Sequence, residues 1–341
     1  PFPPLDRKMD PGQKAYRGDS FYPSHCHACS YRAFAIDGSS LTKRIRMIID
    51  VHGHVLRWPI IKRGEKPLTF MNPEDQVRRM DEKDVDKMVI LPLGSAEVGA
   101  EHQSMGEVLE IVRMYPDRFI PFCVIEPRRH DLGTEKSFRH ILDQYVEHGA
   151  KGLGEVTARV YWDDERLWAL LAGCQDLGLP VTFHTSPPEK VTYGVIDTVG
   201  LPRFERTLQQ FPDLRFFGHS ESFWSEISGD VTAETKPTYP TTPVKPGGTL
   251  LRLFREYPNL CGDLSAGSGY NLLTRDPAFT YEFVDEFQDR LMMGLDHTNK
   301  ELDFQHIEWL KAQTAEGHIA EDVLQKILWR NADRLIGLGI V

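Results

Sequence analysis

No stretch of this 341-residue chain approaches the roughly 18 to 20 consecutive apolar residues needed to cross a bilayer, so no membrane-spanning helix is expected. Positive charge is also short: 40 Lys and Arg stand against 50 Asp and Glu, a formal charge of −10. Nucleic acid and anionic membranes are bound by clustered cations, so neither is expected as a partner, although a small cationic pocket stays open. Cysteine is sparse. Cys26, Cys29, Cys123, Cys174 and Cys261 are an odd, scattered set that makes no disulfide framework and suits reduced thiols. The first residues lack the apolar core of a secretion signal, so the expectation is a soluble cytoplasmic protein acting on a small molecule, with a homo-oligomer left open.

A further absence concerns fold. The first apolar run, Met47-Ile48-Ile49, leads into Asp50-Val51-His52-Gly53-His54 with no Gly-rich phosphate fingerprint after it, which counts against an open dinucleotide-binding sheet. The rest of the chain alternates strand and helix patterns. Candidate strands fall at 47–52, 87–91, 119–125, 151–156, 180–184, 214–219, 260–264 and 290–295. Helical patterns lie between them, as at 73–84 behind Asn72-Pro73, and at 164–177, where Leu167, Trp168, Leu170, Leu171 and Cys174 recur at helical spacing. Eight such units close most economically as a (β/α)₈ TIM-like barrel over 47–341. Residues 1–46 have no sustained period and form an N-terminal extension. It carries half a zinc motif, His25-Cys26-His27-Ala28-Cys29, with no second ligand pair after it. Residues 231–248, with Pro237, Pro240, Pro243 and Pro246, predict a long irregular segment after the sixth strand.

Side chains repeat with period two on a strand, so His52 and His54 point the same way and can hold one ion. In a barrel the reactive groups collect at the C-terminal strand ends. The fourth candidate strand brings Glu155 there, the fifth His184, the sixth His219 and the eighth Asp296. Each alone has an ordinary reading: a histidine after a strand often caps or hydrogen-bonds, Glu155 can pair with Arg159, and Asp296 can cap a helix. Together they mark one end of one barrel.

His52-x-His54, His184, His219 and Asp296 in this order resemble the metal-site motif of the amidohydrolase superfamily, over roughly residues 47–338. The pattern is similar to its amidohydrolase-related group, which includes aminocarboxymuconate-semialdehyde decarboxylase. The resemblance implies a deformed barrel, a divalent metal, with zinc expected first and manganese second, and either hydrolysis or decarboxylation. His52, His54, Glu155, His184, His219 and Asp296 are then the metal ligands, for one ion or two, and Asp296 and His219 the catalytic groups. Glu155, in a Gly-x-Gly-Glu context also similar to TatD-type hydrolases, favours a second metal position and so a hydrolase acting with metal-activated water on an ester, lactone or amide. The alternatives are a non-oxidative carboxy-lyase and a ligand-binding barrel without catalysis. For substrate contact the sequence offers Arg57 and Trp58, with Lys62 and Arg63, in the loop after the first strand. A carboxylate on the substrate would suit Arg57. Trp224, with Phe223 and Tyr270, is an aromatic wall, and Ser265, beside Asp263, is a contact from the seventh strand. His297 is expected behind the ligands or at the surface.

Overall fold

The computed structural model describes residues 47–62, 69–99, 101–129, 135–190 and 192–341. The half zinc motif and Arg63 lie outside the described residues. β1 (Ile49–Gly53), β2 (Lys87–Ile90) and β3 (Phe119–Pro121) form one parallel ladder. β4 (Leu153–Val156), β5 (Val181–Ser186), β6 (Phe216–His219), β7 (Leu260–Asp263) and β8 (Leu291–Met292) form the other.

Two seams join the ladders. Cys123 N donates to Gly152 O and Gly154 N to Cys123 O, both at 2.8 Å, linking β3 to β4. Val51 N donates to Met293 O at 3.1 Å, and Asp296 N to His52 O at 2.9 Å, linking β1 to β8. The result is a closed (β/α)₈ barrel. The Asp50 carboxylate sits in the second seam, where its Oδ1 accepts from His52 N and Leu295 N at 3.0 and 2.9 Å. Gly294 allows that closure: a Cβ there would lie 2.7 Å from Ser265 Cβ and 3.2 Å from His52 Cβ.

The helices follow from capping and periodicity. Pro73–Glu82 starts on Asn72, whose Oδ1 accepts from Asp75 N at 2.8 Å. It stops two residues before the expected end at 84, because Asp84 adopts a left-handed φ of 57° and turns the chain toward β2. Glu165–Leu177 starts on Asp164, ends at Gly178 in left-handed conformation, and buries Leu167, Leu170, Leu171 and Cys174 on one stripe. An unexpected short strand, Val195–Ile196, pairs with Thr185 and Ser186, because β5 runs two residues past His184 and offers it a free edge. Residues 231–248 carry neither helix nor strand. No helix among the described residues is long and apolar enough to cross a membrane.

Candidate metal centre

Five strands deliver the site. In the parallel register His184 of β5 lies opposite His219 of β6, so both imidazoles leave the barrel at one level, with ring centroids 5.5 Å apart. His52, on β1, is fully buried, and its ring lies 5.0 Å from that of His54 and 4.4 Å from that of His219. Glu155, from β4, is buried among them. Its Oε2 lies 3.8 Å from His52 Nε2 and 3.5 Å from His54 Nε2, and its Oε1 lies 3.2 Å from His184 Nδ1. Asp296 follows β8 and sets Oδ1 3.9 Å from His52 Nε2 and 3.5 Å from His54 Nε2. All six sequence-predicted ligands therefore meet, in three overlapping groups whose donor atoms lie within 4.8 Å of one another: His52, His54 and Glu155; His52, His219 and Asp296; Glu155, His184 and His219.

Hydrogen bonds behind the ligands orient them. Asp263 Oδ2 lies 2.6 Å from His52 Nδ1, so that nitrogen carries a proton and donates it to the carboxylate. His54 Nδ1 faces the Leu91 carbonyl at 2.7 Å and must likewise donate. In neutral imidazoles both Nε2 atoms then carry lone pairs, and these two atoms are 3.2 Å apart. Such an arrangement needs a cation or an extra proton between the rings. Asp296 Oδ1 makes the same demand, being buried without a hydrogen-bond partner. With neutral imidazoles, Glu155, Asp263 and Asp296 would bury three negative charges, and no Lys or Arg pairs with them among the described residues. The donor set fits divalent metal, one ion or two, which His52, His54, Glu155, His184, His219 and Asp296 would hold in these overlapping groups.

The electrostatics of the metal-free chain agree. Burial pulls the His52 pKa down, but Asp263, Asp296 and Glu155 outweigh it and push it up to about 10, so a proton takes the place a cation would fill. Burial lowers His219 to about 3 and keeps it neutral. Burial also raises Glu155, but the His184 hydrogen bond and the nearby imidazoles win, and its pKa falls well below the usual range. Asp296 is raised, chiefly by burial. Backbone strain gathers here too: Ser220 after His219, Ala266 after Ser265, and Asp296 itself have φ of 109°, 57° and 54°.

A cavity of about 690 Å³ opens over these groups, with His54, Glu155, His184, His219 and Asp296 in its floor. A larger one, about 1240 Å³, lies at the opposite barrel end beside Ile48, Asp86 and Asp117, and it has no imidazole in its lining. The chemistry points to the smaller cavity.

Arg57, Trp58, Trp224 and Ser265, expected to touch substrate, do not line this cavity. The Arg57 guanidinium lies 4.3 Å over the Trp58 ring and 3.4 Å from Glu74, and Trp58 is 71% exposed, so neither lines the cavity. Trp224 is buried, donating from Nε1 to Asp263 O at 3.1 Å and stacking on Phe254. The short helix Glu221–Trp224 turns it into the core, where its indole fastens β7. Ser265 is buried behind His219, with Oγ 2.9 Å from its Nδ1, and so positions the imidazole. Tyr270 packs on His306 rather than in the cavity. Arg159 binds the carbonyls of Pro188 and Thr192 instead of Glu155. His297 lies buried behind the site, accepting from Phe304 N at 2.8 Å. Two acidic groups join the site in other roles than the sequence suggests, which offers Asp263 with Ser265 as a substrate contact and gives Glu221 none. Asp263 is the partner of His52, and Glu221, 3.8 Å from His184 Nε2 and 2.6 Å from Lys190 Nζ, stands behind the fifth strand. An acidic residue beside a strand-end histidine or serine was the only signal available.

Comparison with known proteins gives the same frame. The family model described as amidohydrolase matches residues 49–338. A search of curated sequences finds no match. Among solved structures, a TIM-barrel protein from Bordetella bronchiseptica superposes with a TM-score of 0.57 at 20% identity, over 86% of this chain and 99% of that one. A probable 2-pyrone-4,6-dicarboxylic acid hydrolase from Acinetobacter baumannii gives 0.52 at 15% identity, over 86% and 100%. A manganese-containing dihydroxybenzoic acid decarboxylase from Polaromonas sp. JS666 gives 0.52 at 16% identity, over 87% and 98%. At these identities the likeness is one of fold. With the family match spanning nearly the whole barrel and the donor set at its strand ends, the chain belongs to the amidohydrolase family of metal-dependent enzymes.

Proposed function

We propose that the protein is a metal-dependent hydrolase of an ester, lactone or amide bond in a small substrate, with zinc as its metal. One observation carries the reading: Asp296 Oδ1 is buried, unpartnered and 3.5 Å from His54 Nε2, at the floor of the cavity. Hydrolysis needs a base that takes a proton from water and returns it to the leaving group. A carboxylate whose affinity for a proton is raised by burial suits both halves of that transfer. The metal, when bound, supplies Lewis-acid polarisation of the carbonyl and of water. His219 stays neutral, its Nδ1 engaged by Ser265, so that Nε2 is the nitrogen left to hold a metal or to orient the scissile group. Glu155 spans the His52–His54 pair and His184 with its two oxygens, which supports a second metal position.

The second reading is decarboxylation, the activity named for the Polaromonas structure. It is favoured by Asp296, whose raised proton affinity suits a group that delivers a proton to carbon as carbon dioxide leaves. It is disfavoured by the cavity lining, in which no Lys or Arg stands among the described residues to hold a carboxylate. Elemental analysis of protein purified without chelator should give one or two metal ions per chain. Zinc- and manganese-loaded protein should then hydrolyse members of a lactone, ester and amide panel. Carbon dioxide release from aromatic acids, with the hydrolysis panel silent, would replace the first reading by the second.

A further inference from the structure

The irregular segment 231–248 is tied down on both sides of one aromatic residue. Upstream, Lys236 is fully buried, and its Nζ donates to Glu226 Oε1 at 2.5 Å and to Ser222 O at 3.1 Å. Ser225 Oγ donates to the Lys236 carbonyl at 2.9 Å. Downstream, Asn271 Nδ2 donates to Pro240 O at 2.9 Å, Val244 N to Asp276 Oδ2 at 2.9 Å, and Lys245 N to Ser228 Oγ at 2.8 Å. A lysine with no exposed surface is rare and needs a partner to stay there. Here the anchor holds a stretch that has no helix or strand of its own.

Between the anchors stands Tyr239, 53% exposed, in the wall of the cavity above Asp296. Its ring carbons lie 3.4 and 3.7 Å from the place a Cβ on Gly267 would take, so the ring runs alongside the backbone that follows Ala266. No hydrogen bond to its hydroxyl is made by the described residues. Burial, then the charges of Glu221 and Asp296, push its pKa up to about 12, so the hydroxyl keeps its proton and can donate. An aromatic residue whose flanking backbone is tied down, with a donor facing a cavity, suits a ligand: the loop that carries it is already ordered, so binding orders little more. The rest of the wall offers nothing to pair with an anionic partner. Phe70, Tyr193 and Phe304 supply aromatic surface, Thr69 and Asn299 neutral polar groups and Glu301 a carboxylate, and no Lys or Arg is present among the described lining residues.

We propose that Tyr239 is a substrate-binding residue that covers an uncharged, ring-sized substrate and donates a hydrogen bond to one of its oxygens, with Lys236 as its positioning residue. The ring-sized neutral ligand rests on the hydrolase reading above; the role of Tyr239 does not. Two probes separate them: δ-valerolactone, a cyclic ester that can be hydrolysed, and δ-valerolactam, its hydrolysis-resistant amide counterpart. Binding of the lactam to metal-loaded protein is followed by ligand-observed NMR, and lactone hydrolysis by pH-stat titration. Tyr239→Phe should weaken lactam binding about three- to tenfold through the lost hydrogen bond, and Tyr239→Ala further through the lost ring, with metal content unchanged. Lys236→Met should also weaken it, yet add nothing in a Tyr239→Ala background, because it acts through the tyrosine. If Lys236→Met does not fold, the two half-exposed tyrosine variants still decide. Equal lactam affinity in wild type, Tyr239→Phe and Tyr239→Ala overturns the proposal, as does a wild-type protein that binds no lactam. Tyrosine-dependent lactam binding without lactone hydrolysis would leave the proposal standing and remove the hydrolase reading.

Discussion

Two buried charge clusters lie within this barrel, and they solve the same problem in opposite ways. Around Glu226 the chain supplies its own cation: Lys236 takes one carboxylate oxygen, and Gly200 N donates to both at 3.0 and 3.1 Å. The carboxylate and the ammonium both find partners within the chain, and the cluster fastens a loop. Around Glu155 the chain supplies carboxylates and imidazoles and leaves Asp296 Oδ1 without a partner and two imidazole nitrogens face to face. Burying charge is costly unless it is compensated, so an uncompensated cluster persists where something from outside completes it. Internal completion marks a structural element, and incomplete charge marks a site.

The largest effect should come from removing a ligand. His52→Ala should strip most metal from the chain and lower turnover on the order of 1000-fold, read by elemental analysis and by rate on the best substrate of the panel. Full metal content in this variant would erase the distinction between the clusters. Next, Lys236→Met should cost about 3–5 kcal/mol in urea unfolding of metal-loaded protein, because it leaves Glu226 buried alone. Metal per folded chain should stay at the wild-type level; a parallel loss would show the two clusters to be coupled. Asp263→Asn keeps the shape but removes the charge behind His52, and metal affinity should fall about 10- to 100-fold in competition with a chromophoric chelator.

The smallest signal is a proton count. In the metal-free chain His52 is protonated up to about pH 10. Its raised pKa contributes stability that is complete below the ordinary histidine value and is lost as pH rises through about 10. Metal binding at pH 8 should therefore expel roughly one proton, measured by calorimetry in buffers of different ionisation enthalpy. The count should fall toward zero above pH 10. No proton release at pH 8 would mean that His52 is already neutral and the cluster less charged than its geometry implies.

Strand positions were legible in the sequence because a buried parallel strand reads as a short apolar run, and all eight appear within a few residues of their expected places. The ligands were legible for a related reason: on each of five strands the run stops at a polar residue of ligand type. Side-chain direction beyond the strand ends was not. Trp224 and Ser265 sit close to ligands in sequence or space, yet one turns into the core and the other behind His219, because helix entry and backbone strain decide their direction. Arg57 lies in the right loop but finds Glu74 and the Trp58 ring outside the cavity. The pairing of Asp263 with His52 joins residues 211 positions apart, which a local pattern cannot see. Lys236 and Tyr239 were hidden for the opposite reason: a proline-rich stretch has no period from which inward and outward faces can be read.

The ligands stand on or directly after barrel strands, whereas Thr69, Tyr193, Tyr239 and Asn299 come from the connections above them. Reactivity and selectivity are thus encoded in separate stretches of chain. Randomising those four wall positions should yield variants that exchange one substrate for another at undiminished metal occupancy, which makes this barrel a scaffold whose preferences can drift, or be bred, while its reagent stays in place.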